Sequence, residues 1–330
     1  MNDLTAPILV TGGAGYIGSH ACKALARAGY APVVLDDLSS GHEWAVKWGP
    51  LVRGDIHDTA LLDDLFARHR FAGVLHFAAF IQVGESVAEP AKYYENNTGG
   101  ALRLLDAARR HGCRAVVFSS TAAVYGTPDS VPIPVSAPLR PENPYGRSKR
   151  MVEEILADFE AAYGLRHAIL RYFNAAGADL EGEIGEEHAP ETHLVPLAVL
   201  AAQGKAPPLR LFGDDWDTPD GTPIRDYIHV TDLAEAHVLA LRRILERDES
   251  LVCNLGTGQG NSVREIVAAV ARVGGREVPH SVAPRRPGDP SRLVADPSAA
   301  EELLGWRPRI TEIEEIVASA WRWHAQRTGI

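Results

Sequence analysis

The chain has 330 residues, of which 45% are hydrophobic and 23% charged, and a formal net charge of −10. That length and composition suit one large core or two modest ones. The acidic balance argues against a nucleic-acid footprint, which needs a basic face, although an acidic protein can hold a polyanion where its arginines gather locally.

The cysteines, Cys22, Cys113 and Cys253, lie far apart and follow no metal-ligand spacing. They read as small buried hydrophobes in a reduced compartment. No apolar run approaches the roughly 18 residues of a membrane span. The opening MNDLTAPILVTGG passes almost at once into a strand and a glycine loop, which leaves no room for a signal peptide. The expectation is a cytoplasmic protein with no nucleic-acid and no membrane partner.

The first predicted strand, Pro7 to Val10, runs into Thr11-Gly12-Gly13-Ala14-Gly15-Tyr16-Ile17-Gly18 and then the helical SHACKALARAGY. Strand, glycine turn and helix in that order give the spacing its meaning. Gly12 permits the tight turn, Gly15 lets backbone approach a pyrophosphate, and Gly18 lets the helix pack close to the strand. The helix N-terminus then offers N–H groups and a positive dipole end to phosphates.

The second strand, Ala31 to Leu35, ends in Asp36-Asp37. An acid about 20 positions past the glycines accepts hydrogen bonds from an adenosine ribose and repels a 2′-phosphate, so NAD is preferred over NADP. A third strand, Leu51 to Ile56, carries Asp55 near its carboxyl end, where adenine contacts fall in a doubly wound sheet. The fourth, Gly73 to Ala79, closes on small residues that let backbone approach the cofactor, and its His76 reads as a hydrogen-bonded core residue. A helical stretch from about Pro90 to His111 contains Asn96-Asn97 and Gly99-Gly100. These are poor helix formers, which suggests that packing or function chose them.

The fifth strand, Cys113 to Phe118, runs into Ser119-Ser120-Thr121-Ala122-Ala123. Hydroxyls at a strand's carboxyl end face the crevice where open α/β sheets bind ligands. Next comes Asn143-Pro144-Tyr145-Gly146-Arg147-Ser148-Lys149. Proline suits a first helical turn, and the apolar positions that follow keep helical spacing up to Gly164. Tyr145 and Lys149 then share a face, with Cβ atoms about 5–6 Å apart. An ammonium so placed is expected to move the tyrosine pKa down from about 10 toward neutrality, as suits a tyrosine that takes a proton from an alcohol.

With TGGAGYIG, SSTAAVYG and YGRSK in place, the chain resembles the extended short-chain dehydrogenase/reductases. In the second half, RYFNAAG at 171–177, HLVP at 193–196 and DGTPIRDYIHVTDLA at 220–234 are similar to segments of UDP-glucose 4-epimerases. The resemblance covers nearly the whole chain, and the last segment is its most specific part. It implies a Rossmann-type doubly wound parallel sheet over 1–173 that binds NAD. A smaller mixed α/β substrate domain would occupy 174–330, with segments near 225–260 returning to the main sheet.

At matching positions the resemblance makes Tyr145 the general base and acid and has Lys149 hold the nicotinamide ribose. Thr121 would hydrogen-bond the reacting hydroxyl. Gly12, Gly15, Tyr16, Ile17, Gly18, Asp36, Asp37, Asp55, Ile56, Phe77, Ala78, Ala79, Asn96, Ser119 and Tyr172 would line NAD with Tyr145 and Lys149. Phe173, Asn174, His193, Leu194, Phe212, Arg225, Tyr227, Arg286, Asp289 and Leu293 would hold the UDP-sugar with Thr121 and Tyr145. The chain departs from the family pattern in two places. Ile81 stands where a lysine often lies near the pyrophosphate, and Leu293 stands at a sugar-pocket wall that is commonly tyrosine or a small residue.

Physically, Arg225 and Arg286 are suited to a diphosphate because the guanidinium fork binds its oxygens bidentately. The Pro and Gly around Arg286 in APRRPGDPSR would stiffen that loop. Phe212 could stack on uracil. The acidic run Asp214-Asp215-Trp216-Asp217 reads as a surface loop, the glycine turn GTGQGNS as structural, and nothing in the sequence points to a metal site.

The reaction implied is inversion of carbon 4 of a UDP-hexose, UDP-galactose to and from UDP-glucose, with NAD retained. A UDP-N-acetylhexosamine or UDP-pentose 4-epimerase is the alternative. A sugar-nucleotide dehydratase fits less well, since Ala122 and Ala123 offer no carboxylate beside Thr121. A non-catalytic NAD sensor could keep the glycine loop while losing the Tyr–Lys pair, which this chain retains. A homodimer through the helices around 95–111 and 147–163 is the oligomeric state the resemblance implies.

Overall fold

A computed structural model describes residues 6–286 and 289–327. Seven parallel strands form its main sheet: Leu251–Leu255, Arg166–Tyr172, Ala115–Thr121, Gly73–His76, Pro7–Thr11, Ala31–Asp36 and Leu51–Arg53, in that spatial order. The first strand of the chain pairs with the second on one side and the fourth on the other, with Thr11 level with Leu35 and with His76. The strand order reverses there, so a crevice opens at the carboxyl ends of those two neighbours.

Parallel strands need crossover connections, and here helices supply them on both faces. One face packs under Tyr16–Arg27 and Val230–Arg247, whose Cys22, Leu25, Leu233 and Leu241 join Ile8, Val10 and Val117 in a single core. The other packs under Thr59–His69, Gly100–Arg110 and Pro144–Tyr163, where Phe66, Leu104 and Val152 meet Leu9, Val74 and Phe118. All three cysteines are buried and free.

The strand Leu251–Leu255 joins this sheet beside Arg166–Tyr172, in a register that sets Leu255 against Tyr172. Residues far along the chain thus complete the sheet begun at Pro7. A third core gathers the helices Leu194–Ala202, Val263–Gly274 and Ile313–Gln326. Small pairings lie at its margin, among them Ile224–Arg225 between Asn261–Ser262 and Arg292–Leu293.

The expected helix after Asn143 runs over Pro144–Tyr163. The Asn143 side chain accepts from Gly146 N at 2.9 Å, satisfying one of the unpaired first-turn donors. Gly164 ends the helix at φ 68°, a left-handed geometry that glycine adopts without strain. The weak stretch near residue 96 is not one regular helix. Pro90–Tyr93 passes into a π-helical turn over Tyr94–Gly99 before Gly100–Arg110 resumes. The turn holds Asn97 buried, where its amide accepts from Phe80 N at 2.9 Å and donates to Phe80 O and Ser148 Oγ at 3.0 and 3.1 Å. No helix among the described residues is long and apolar enough to cross a membrane.

Candidate active site

The glycine turn lies at the floor of the crevice. Gly12 has φ 73°, donates to Leu35 O at 2.9 Å, and leaves no room for a side chain, since a Cβ would come within 2.6 Å of Ala78 N. A Cβ on Gly18 would meet Gly12 O at 2.1 Å. These close approaches bring the strand, the turn and the 77–79 backbone together in a cradle for a dinucleotide, with the helix N-terminus at Gly15 pointing in.

Asp36 closes one end of the cradle. Its two carboxylate oxygens accept from Ala14 N and Leu38 N, each at 2.9 Å, and each retains a lone pair for a ribose hydroxyl. Burial raises its pKa despite those amide bonds. Asp37 accepts from Ser39 N at 2.8 Å. Asp55 accepts from both His57 N and His57 Nδ1; burial pushes its pKa up, but the His57 contacts outweigh that and hold it low.

One continuous cavity takes in most of the expected residues. Gly12, Gly15, Tyr16, Ile17, Gly18, Asp36, Asp37, Asp55, Ile56, Phe77, Ala78, Ala79 and Asn96 line it. So do Thr121, Tyr145, Tyr172, Phe173, Asn174, His193, Leu194 and Tyr227, together with Ile81. The set has the chemistry an NAD site requires: a phosphate cradle, an acidic ribose acceptor and small residues along the sheet edge.

Tyr145 and Thr121 line this cavity together, Thr121 at the carboxyl end of its strand and Tyr145 in the first turn of its helix. Ser119 and Lys149 stand behind that wall, both buried. Lys149 Nζ donates to Ser119 O at 2.9 Å and lies 4.9 Å from the centre of the Phe118 ring. Ser119 Oγ is 2.9 Å from the Tyr172 hydroxyl. His76, as expected, is core: its Nδ1 bonds Thr11 Oγ1 at 2.7 Å, and burial drives its pKa down to about 3.

The expected depression of the Tyr145 pKa does not hold in this structure. Burial is the largest influence and raises it well above 10, Tyr172 adds to the rise, and the Thr121 hydroxyl only partly opposes it. The neighbouring ammonium is itself desolvated, so burial brings the Lys149 pKa down to about 7 against the upward pull of Glu153. Spacing along a helix fixes which groups are neighbours, while burial decides their charge.

Five residues expected at the substrate stand next to this cavity, Leu293 packed against Ala122 and Phe173. Phe212, Arg225, Arg286, Asp289 and Leu293 gather in a cluster beyond Tyr227. Strand pairing sets Leu293 level with Arg225. Arg225 Nη2 lies 3.8 Å from Asp289 Oδ1, and the Arg286 guanidinium lies 3.8 Å from the centre of the Phe212 ring. Burial lowers the Arg225 pKa, with Arg286 acting in the same direction and Asp289 opposing. Two guanidiniums near one carboxylate leave a net positive spot in an acidic protein, with the chemistry of a diphosphate site. The GTGQGNS turn is structural, since Asp226 accepts from Thr257 N and Gly258 N at 2.8 and 3.0 Å.

One further grouping matches no motif expected from the sequence. Glu186, His188, Glu191 and His193 converge beside the crevice. Two histidines and two glutamates in so short a run were the available signal.

A dinucleotide cradle and a Tyr–Thr pair lining one crevice, with a buried lysine behind, define a Rossmann-fold protein equipped to handle an alcohol and its ketone. The chain belongs to the NAD dependent epimerase/dehydratase family, which matches residues 8–256. It is 54% identical over 320 residues to a UDP-glucose 4-epimerase of Rhizobium meliloti, covering 97% of both chains. The UDP-glucose 4-epimerase of Brucella ovis in complex with NAD superposes with a TM-score of 0.94 at 52% identity, over 96% of this chain and 98% of that one. The Stenotrophomonas maltophila UDP-glucose-4-epimerase with bound NAD and formylated UDP-arabinopyranose gives 0.94 at 41% identity, over 97% and 98%.

Proposed function

We propose that this chain is an NAD-dependent isomerase that inverts carbon 4 of a UDP-hexose, interconverting UDP-galactose and UDP-glucose. The observation that carries the reading is the Tyr145–Thr121 hydroxyl pair facing the same crevice as the glycine cradle. NAD, held by the glycine turn, Asp36 and the 77–79 backbone, supplies a hydride acceptor and donor and, when oxidised, a positive ring charge.

The protein's own part is proton handling and grip. Tyr145 exchanges one proton with the sugar's 4-oxygen, giving it to the 4-keto oxygen and taking it back from the 4-hydroxyl in the opposite direction, and Thr121 orients that oxygen by hydrogen bonding. Lys149 stands behind the tyrosine, its Nζ anchored by Ser119 O. Inversion needs the nucleotide end gripped while the hexose end stays free to turn. Gathering the cations at Arg225 and Arg286 supports that asymmetry, and Leu293, packed beside Ala122 and Phe173, offers the hexose an apolar neighbour with no hydrogen-bonding group.

A UDP-pentose is the second reading, favoured by the formylated UDP-arabinopyranose in the Stenotrophomonas relative. We also infer a cytoplasmic homodimer. The exposed apolar side chains Leu102, Met151 and Tyr163 on the two helices implicated by the resemblance support the pairing. The three reduced, buried cysteines favour the compartment.

The test is to incubate the purified protein with UDP-galactose and no added NAD and to measure UDP-glucose, with UDP-N-acetylglucosamine and a UDP-pentose in parallel. Conversion without free NADH is the expected result. Stoichiometric NADH would point to a dehydrogenase, and no turnover of any of these sugars would remove the epimerase reading.

A further inference from the structure

We propose that Glu186, His188, Glu191 and His193 form a site for one divalent cation of the zinc class at the wall of the nucleotide crevice. All four side chains come from a single short segment that leads into the helix Leu194–Ala202, and their ligand atoms lie within 4.8 Å of one another.

The distances suit a tetrahedral ion. Bonds of about 2.0–2.1 Å to such an ion set adjacent ligand atoms about 3.3–3.4 Å apart. His188 Nδ1 lies 3.3 Å from Glu186 Oε1 and 3.5 Å from Glu191 Oε2. His193 Nδ1 lies 3.6 Å from the other oxygen of that carboxylate, Oε1, so Glu191 faces the two imidazoles with different oxygens and presents one of them to the ion. The one short edge, His193 Nδ1 to Glu186 Oε1 at 2.5 Å, opens by less than 1 Å to fit. His188 Nδ1 is buried between two carboxylates without meeting hydrogen-bond geometry to either, which leaves its lone pair free for an ion placed among the three.

Charge and support agree with the geometry. Two carboxylates balance a dication, while imidazole nitrogen with carboxylate oxygen is a donor set that zinc accepts. Glu191 is already oriented, because its Oε1 accepts from Thr192 N and His193 N at 2.7 and 2.9 Å. Outer hydrogen bonds of this kind hold a ligand in place before the metal arrives. Four protein ligands close the coordination sphere, so the ion's role is structural. It pins the segment whose Pro190, Thr192 and His193 line the crevice.

A second acidic group shows the contrast. Asp179, Glu181 and Glu183 also converge, but Lys23 Nζ already sits among them at 2.6–2.9 Å. An ammonium fills that place, and no metal is expected there.

The experiment is metal titration of the full chain after chelator treatment, followed by elemental analysis. The expected result is one equivalent of Zn²⁺, and Co²⁺ giving the intense visible spectrum of a tetrahedral site. His188→Ala and Glu186→Gln are expected to weaken binding by more than the roughly 10–100-fold that altering an outer-shell partner costs. Glu181→Gln is expected to bind like wild type. Should the site variants fold poorly, zinc-edge X-ray absorption of the wild-type protein decides, since two imidazoles must appear in the first coordination sphere. Absence of stoichiometric binding by wild type would mean a hydrogen-bonded His–Glu cluster and overturn the proposal. So would a first sphere without imidazole, or full affinity in folded site variants.

Discussion

Glu153 and Arg171 meet in a buried two-pronged ion pair, Arg171 Nε to Glu153 Oε1 at 3.0 Å and Nη2 to Oε2 at 2.7 Å. Ser120 Oγ donates to the same Glu153 at 2.5 Å, and Arg171 Nη1 donates to the Tyr125 hydroxyl at 3.0 Å. The pair thus links the helix that carries Tyr145 and Lys149 to the strand end that carries Thr121. Glu153 lies one turn beyond Lys149 and is the group that opposes the desolvation of its ammonium.

Removing one partner of such a pair leaves a buried charge uncompensated, at a cost of about 3–5 kcal/mol. Glu153→Gln is therefore expected to lose that much stability in urea unfolding. Replacing both partners by methionine is expected to recover a large share of it. A Glu153→Gln protein as stable as wild type would show that the pair contributes nothing.

Tyr145→Phe keeps the ring and removes the hydroxyl that handles the proton. Loss of a general acid–base group slows turnover by about 10²–10⁴-fold. UDP affinity is expected to change little, because the Arg225 and Arg286 guanidiniums, and not the Tyr145 hydroxyl, are suited to grip the diphosphate. Steady-state turnover of UDP-galactose and calorimetric titration with UDP separate the two effects. Near wild-type turnover would remove Tyr145 from the mechanism.

Arg286 stacks on Phe212 next to Arg225. In Arg286→Met the apolar stem remains and the charge goes. A hydrogen bond to a charged group contributes about 1.5–3 kcal/mol, so KM is expected to rise about 10–100-fold. The grip on a diphosphate is the same in ground and transition states, so kcat should stay within a few-fold. A fall in kcat at constant KM would place Arg286 at the reacting end instead.

The parts of this site written in local sequence were legible. Asn143-Pro144 and Gly164 mark the ends of one helix because capping is a property of a few adjacent residues. Gly12 and Gly18 follow from steric contacts within a single strand–turn–helix unit. What escaped depends on distant partners. The π-helical turn at Tyr94–Gly99 is held by Asn97 reaching Phe80 and Ser148, and no helix propensity encodes that. The charge states of Tyr145 and Lys149 follow from burial by a whole sheet. Phe212 and Arg286 meet only because their segments pack together across a long stretch of chain.

Lys149 makes the difference between neighbourhood and burial measurable. In the folded protein its pKa is brought down to about 7 by burial, whereas an unfolded lysine titrates at about 10.4. Between those values the unfolded chain holds the extra proton, so unfolding becomes harder as pH rises, by up to about 1.4 kcal/mol per unit. Below pH 7 both states are protonated, and the cost of the buried ammonium is constant and fully present. Above 10 it is gone. Lys149→Met carries no such proton, so wild-type stability should gain on the variant's between pH 7 and 10 and run parallel to it below 6. Urea unfolding of both proteins at pH 6, 7, 8 and 9 measures this difference directly, and it cancels every other titrating group the two share. Parallel stability profiles across the whole range would show that the Ser119 carbonyl and Glu153 keep the ammonium as basic in the fold as in water.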